Sequence, residues 1–367
     1  MAVESDTVDV LEHPALDTEG RQLVTELVSI PSVSEEEQEA AEALAAFFER
    51  HDREVWVDEI GNVRAPADDT VLLTSHIDTV PGEIPVEIAE GGDGPELWGR
   101  GSVDATGPLA AMAASAAETG ASFVGVVGEE SDSRGAWHLV GDREAPEAVV
   151  NGEPSGWNGI TLGYRGLVEG TYVATSESGH SSRPDPNAIQ DAMSWWNRVE
   201  SVFDPDEWVP VFEQVTTKPI DFEGGISVDG LSLEATMEFQ LRVPPERTPD
   251  EVRVLADAEL QTGTVNWSGA IPPVMTSPRT ELARLFRVAI RSLGGDPRLL
   301  RKTGTSDMNV YAEHWNCPMV TYGPGDSELD HAPNEHLSLE EFDRSVDVLI
   351  EVCEQLGVSE TPTESTQ

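Results

Sequence analysis

Between residues 70 and 153 short apolar runs alternate with helical patterns, and that rhythm constrains the fold more than any other feature of the chain. The order is "TVLLTSHID", "GPLAAMAASAAETG", "SFVGVVGEE", "GAWHLV", "EAVVNGEP". Strands and helices in alternation build βαβ units around a mainly parallel sheet, and such sheets collect functional groups at the carboxyl ends of their strands. Residues 18–51 read as two preceding helices. In the second, "SEEEQEAAEALAAFFER", Ser34 is the expected cap and Glu37 completes a capping box.

Near residue 165 the period drops to two. "LVEGTYVATS", "KPIDFEGGISV" and "LSLEATMEFQLRV" alternate, and in the last Leu231, Leu233, Ala235, Met237, Phe239, Leu241 and Val243 share one face. That pattern fits an antiparallel sheet with one wet face. Helices are expected at "NAIQDAMSWWNRVESVF" and "TPDEVRVLADAELQ". The α/β rhythm resumes at "TELARLFRVAIRSL" and runs to a last helix near 338–356. The expected fold is α/β: a mainly parallel-sheet domain over 1–165 and 278–367, with an α+β domain inserted over 166–277.

Charge sets the working conditions. The chain of 367 residues has 69 acids against 22 lysines and arginines, a net −47, and its lysines are Lys218 and Lys302 alone. Such a charge repels itself in dilute buffer, whereas near 1 M salt the Debye length is about 3 Å and the repulsion is screened. Adaptation to molar salt is the expectation. The melting temperature should fall as KCl is lowered below roughly 1 M, and a flat melting temperature across that range would refute it. No basic stripe exists to neutralise phosphates, so nucleic acid is not an expected partner. No membrane span or signal peptide is visible, and Cys317 and Cys353 form neither a disulfide framework nor a zinc knuckle. A cytoplasmic protein is expected.

In so acidic a chain an isolated carboxylate says little; the informative ones sit at strand ends beside glycine. His76 and Asp78 follow "VLLT", two apart, so that the carboxylate can orient the imidazole. Asp104 in "GRGSVDATGPLAAM" precedes an apolar helix and reads equally as its N-cap. Glu129 and Glu130 end "VVGEES"; neighbouring buried carboxylates repel unless a cation lies between them. Glu153 follows "VVNG", and His331 precedes a helix capped by Ser338, with His336 five residues on as its competitor. Imidazole and carboxylate ligands of this kind suit zinc, cobalt or manganese.

The ordered set "SHIDTVP", "GRGSVDATGPLAAM", "VGEES", "NGEPS", "ESGHSSRPDPNAI" and "DHAPNEHLSLEEF", spanning roughly residues 20–357, resembles the two-metal amidohydrolase and exopeptidase family. Acetylornithine deacetylase, succinyl-diaminopimelate desuccinylase and the glutamate carboxypeptidases belong to it. The resemblance implies two divalent ions per subunit, zinc or cobalt. His76, Asp104 and Glu153 would hold one; Asp104, Glu130 and His331 would hold the other. It further implies Asp78 as the partner of His76, Glu129 as general base, and His180 in "GHSS" as an oxyanion donor supplied across a homodimer by the inserted lid and dimerisation domain. "RKTGTSDMNVY" and "LGYRG" resemble most the LysK-type branch, which frees lysine or ornithine from the terminal glutamate of an amino-group carrier protein. Arg165, Gly304, Thr305 and Ser306 would then contact substrate, although Ser306 or Asp307 also reads as an ordinary helix cap. Acetylornithine or acetyl-lysine deacetylation, and di- or tripeptide hydrolysis, are the alternatives on the same site.

Overall fold

The computed structural model describes residues 10–92, 94–177 and 184–358. The chain divides into two compact units. One runs to Leu162 and adds Thr276–Leu300 and the residues from Val310 on; the other is Gly163–Met275 with Arg301–Asn309.

In the first unit the strands lie in the order Trp56–Val57, Val63–Ala65, Ala121–Val126, Asp68–His76, Val149–Gly152, Met319–Tyr322 and Gly159–Tyr164. The central four, from Ala121–Val126 to Met319–Tyr322, are parallel to one another. Helices cover both faces of a parallel sheet, so these strands read as unbroken apolar runs: from Val71 to His76 every residue is buried. The helix Thr106–Thr119 packs against Asp68–His76, Glu19–Val28 and Leu339–Leu356. It is almost wholly buried and rich in alanine, whose small side chains allow close approach from all sides. Gly107 is required there, since a Cβ would sit 2.4 Å from the Ser102 carbonyl oxygen. Phe48 and Phe123 pack at 4.9 Å between ring centres and Phe286 and Tyr322 at 4.8 Å, filling the core under the sheet.

One sequence expectation fails here. The second helix spans Gln38–Arg50; its N-cap is Glu37 and no side chain caps it. Ser34 lies too far upstream to reach the first helical amides and donates instead to Asp78 Oδ2 at 2.7 Å. Glu37 is buried and accepts from Arg134 Nη2 at 2.6 Å, so neither member of the expected capping box is available to cap.

The second unit is an antiparallel sheet in the order Thr216–Ile226, Ser232–Val243, Gly166–Glu177, Thr264–Ile271. Its apolar face carries Ala235, Met237, Phe239, Leu241 and Val243, as the period-two pattern requires, whereas Leu231 lies outside the strand and is exposed. The helices Ala188–Phe203 and Pro249–Ala258 cover that face, each opened by a capping box, Asn187 with Gln190 and Thr248 with Glu251. Trp195 stacks on Tyr172 at 4.7 Å and meets Phe239 edge-on. The strand Thr264–Ile271 was not singled out in the sequence, though "TVNWSGAI" alternates half-buried with exposed residues. Residues 301–309, read from sequence as part of the larger domain, cluster with the second unit. Arg165 Nε donates to Thr303 O at 2.8 Å, and Asn309 Nδ2 to Pro272 O at 2.8 Å. Among the described residues no helix is long and apolar enough to cross a membrane.

Candidate metal centre

The parallel strands Ala121–Val126, Asp68–His76 and Val149–Gly152 are adjacent and end on the same edge. Residues just past those ends are therefore gathered in space, although they are well separated in sequence. His76 closes Asp68–His76, Glu129 and Glu130 follow Ala121–Val126, and Glu153 follows Val149–Gly152. His331 arrives from the loop beyond Met319–Tyr322, in the left-handed region at φ 60. Asp104 immediately precedes the helix Thr106–Thr119, but the N-cap position is Ala105 and no side chain caps it, so the capping alternative for Asp104 falls.

The side chains converge. One ligand atom each from His76, Asp104 and Glu130 lie within 4.8 Å of one another. Asp104 lies between two imidazoles, with Oδ1 3.3 Å from His76 Nε2 and Oδ2 3.2 Å from His331 Nε2. His331 Nε2 is also 3.0 Å from Glu130 Oε1. His76 is 1% exposed, and its Nε2 makes no hydrogen bond because the Asp104 contact has ion-pair distance without hydrogen-bond alignment. A buried ring nitrogen aimed at carboxylates and without a hydrogen bond is placed to share a positive charge with them, as a metal ligand does.

The electrostatics agree. Burial opposes charge on His76, but Asp104 and Asp78, with Glu153 and Glu129 nearby, overcome it and raise its pKa well above the usual value. Asp104 and then Glu130 push His331 up to about 10. Burial likewise opposes ionisation of Asp104, yet the two imidazoles hold it far below the ordinary carboxylate range. Asp78, Asp104, Glu129, Glu130 and Glu153 together make a strongly negative pocket that draws positive charge.

The Asp78 carboxylate is 0% exposed and spends its lone pairs on a turn. Oδ1 accepts from Glu129 N at 3.0 Å, and Oδ2 from Glu130 N at 3.1 Å. His76 Nδ1 meets the Asp78 main-chain oxygen at 2.8 Å, whereas the carboxylate is 3.6 Å away. Sequence reasoning passed over Glu335, which is 0% exposed. Its Oε1 accepts from Val103 N at 2.9 Å and Asp104 N at 3.0 Å, and its Oε2 from Arg100 Nη1 at 2.7 Å. Burial raises its pKa against those amides. The neighbouring "NEH" carries no local signal for this, since the residue that Glu335 serves lies 231 positions earlier. His336 stacks on Trp98 at 4.4 Å, apart from the cluster.

Arg165, Gly304, Thr305 and Ser306 are in the second unit. Arg165 is buried, and besides Thr303 O it donates to Thr216 Oγ1 at 2.8 Å; burial and Arg242 lower its pKa to about 10. Thr305 Oγ1 accepts from Arg242 Nη1 at 3.2 Å, and Ser306 Oγ from Met308 N at 3.3 Å in a capping contact. His180 falls outside the described residues.

A parallel-sheet hydrolase domain whose strand ends carry imidazole and carboxylate ligands is what the chain presents, and the profile of the Peptidase family M20/M25/M40 matches residues 72–355. The chain belongs to that family and is a metal-dependent hydrolase acting on amide bonds. Among its relatives, the LysW-lysine hydrolase of Deinococcus radiodurans is 38% identical over 360 residues, covering 92% of this chain and 96% of that protein. The LysW-lysine/LysW-ornithine hydrolase of Sulfurisphaera tokodaii is 30% identical over 344 residues, covering 92% and 95%. The crystal structure of an M20 family metallo-carboxypeptidase from Sulfolobus solfataricus shares the fold, with a TM-score of 0.74 and 18% identity across 92% of this chain and 99% of that one.

Proposed function

We propose that this protein hydrolyses the amide joining the α-amino group of lysine or ornithine to the side-chain carboxyl of the terminal glutamate of an amino-group carrier protein. The observation that carries the reading is the 38% identity over 92% of the chain to a protein named as LysW-lysine hydrolase. The cluster of His76, Asp104, Glu130 and His331 supports the hydrolytic chemistry.

In this reading His76, Asp104 and Glu153 would hold one divalent ion and Asp104, Glu130 and His331 would hold the other, zinc or cobalt. When bound, the two ions supply Lewis-acid activation of water and of the scissile carbonyl. Glu129 takes a proton from the attacking water and returns it to the leaving nitrogen, which departs as the free α-amine of the product. Its main-chain amide is held by Asp78, so the base is presented on a fixed turn rather than a free loop. His180 is the proposed oxyanion donor, reaching the site across a homodimer. In support of an interface on the second unit, its edge strand Thr216–Ile226 pairs on one side only among the described residues and exposes Ile220, Phe222 and Ile226.

The glutamate of the carrier keeps its α-carboxylate, and cations suit it. In a chain of net −47, both lysines, Lys218 and Lys302, belong to the second unit together with Arg165, Arg242 and Arg301. Arg165, Gly304, Thr305 and Ser306 are the proposed substrate contacts, and the cytoplasm at high internal salt is the proposed location. Supplied with a purified carrier–lysine conjugate and with acetylornithine, the enzyme should release lysine from the first. Turnover of acetylornithine alone would overturn the carrier reading in favour of a deacetylase.

A further inference from the structure

The stretch 32–37 joins the helices Glu19–Val28 and Gln38–Arg50 and was expected to do no more than start the second. It lies instead alongside the end of the His76 strand. Ser32 Oγ donates to Ile77 O at 3.0 Å, Thr79 N donates to Ser32 O at 2.9 Å, and Val33 forms a parallel bridge with Thr79. This lateral pairing brings two side chains of the stretch to opposite ends of the turn that carries Glu129 and Glu130.

At the near end Ser34 Oγ donates to Asp78 Oδ2 at 2.7 Å, the oxygen that also accepts from Glu130 N at 3.1 Å. The other oxygen takes Glu129 N at 3.0 Å. With three donors converging, the Asp78 carboxylate has one orientation, and the two amides are fixed with it. At the far end Glu37, 5% exposed, accepts from Arg134 Nη2 at 2.6 Å. The Arg134 guanidinium lies over Gly128, where φ is 78 and a Cβ would stand 2.4 Å from Nη1. Gly128 O in turn accepts from Asp132 N at 3.0 Å, closing the turn.

We propose that Ser34 and Glu37 are positioning residues that anchor the Glu129–Glu130 turn at two points, Ser34 through Asp78 and Glu37 through Arg134. Asp78 thereby acts chiefly on the turn, while its main-chain oxygen, 2.8 Å from His76 Nδ1, fixes the imidazole tautomer. The inference rests on the reading of Glu130 as a metal ligand and Glu129 as the base, but it does not depend on which amide is cleaved.

The test is titration of the metal-free protein with cobalt(II), followed by calorimetry and by the visible absorption of the bound ion. Ser34→Ala should weaken binding about 10-fold and alter the cobalt band, as loss of a group supporting a ligand typically does. Activity of the loaded protein should fall in kcat with KM nearly unchanged. Ser34→Thr, which keeps the hydroxyl, should restore both readouts. Glu37→Gln, which keeps an acceptor for Arg134 but loses its charge, should give a smaller change in the same direction. Wild-type affinity and an unaltered band in Ser34→Ala, with only a lower melting temperature, would overturn the inference by leaving Ser34 a purely structural role. Wild-type protein that binds no cobalt would overturn the metal reading itself and this inference with it.

Discussion

Glu129→Gln should lower kcat by about 10²–10⁴-fold, the usual worth of a positioned general base. Bound metal and melting temperature should stay unchanged. The amide is isosteric with the carboxylate but cannot accept the proton of the attacking water, so the loss belongs to the chemical step. Glu129 is held through its main-chain nitrogen, 3.0 Å from Asp78 Oδ1, and that bond does not involve the substituted atoms. The turn, and with it Glu130, should therefore stay in place. Steady-state kinetics beside elemental analysis of the dialysed variant decide the matter. Metal retained with full kcat would remove Glu129 from the mechanism, and metal lost would mean that it is a ligand instead.

His76→Ala should abolish metal binding at its site, and hydrolysis should fall to background. The imidazole is buried, and its Nε2 faces Asp104 Oδ1 at 3.3 Å with no hydrogen bond of its own. The surrounding core of Leu72, Leu73, Val124 and Val150 consists of contiguous buried strands that do not rely on the ring for their packing. The metal-free wild type and the variant should thus melt within a few degrees of each other. Full metal content in His76→Ala after dialysis against chelator would exclude it as a ligand. A variant that cannot fold even at molar salt would show that the ring is needed for the core.

Much of the fold was legible because it is written in local periodicity. The change from a βαβ rhythm to period two near residue 165 marks the boundary between two units, and Ala235 through Val243 bury the alternation the pattern requires. The cap at Ser338 was similarly local, its side chain accepting from the Glu341 amide three residues on. Where two local patterns compete, sequence reasoning chose wrongly. "SEEE" has the composition of a capping box, yet Ser34 and Glu37 are drawn off by Asp78 and Arg134, partners 44 and 97 positions away. Residues 301–309 cluster with the second unit through bonds of the same long-range kind, Arg165 to Thr303 and Asn309 to Pro272.

By itself the sequence determined the α/β class, the insertion, the acidity and the short list of histidines and carboxylates at strand ends, because each of these follows from neighbours along the chain. Only the tertiary structure decided which members of that list meet. Parallel register brings His76, Glu130 and Glu153 to one sheet edge, and the turn at His331 directs its ring at Asp104 and Glu130. It also decided which of the 69 acids serve the others, Glu335 under the Asp104 amide and Glu37 behind Arg134. A carboxylate that binds a distant backbone amide looks, in sequence, like any other in so acidic a chain, and only folding removes it from water and gives it its partners.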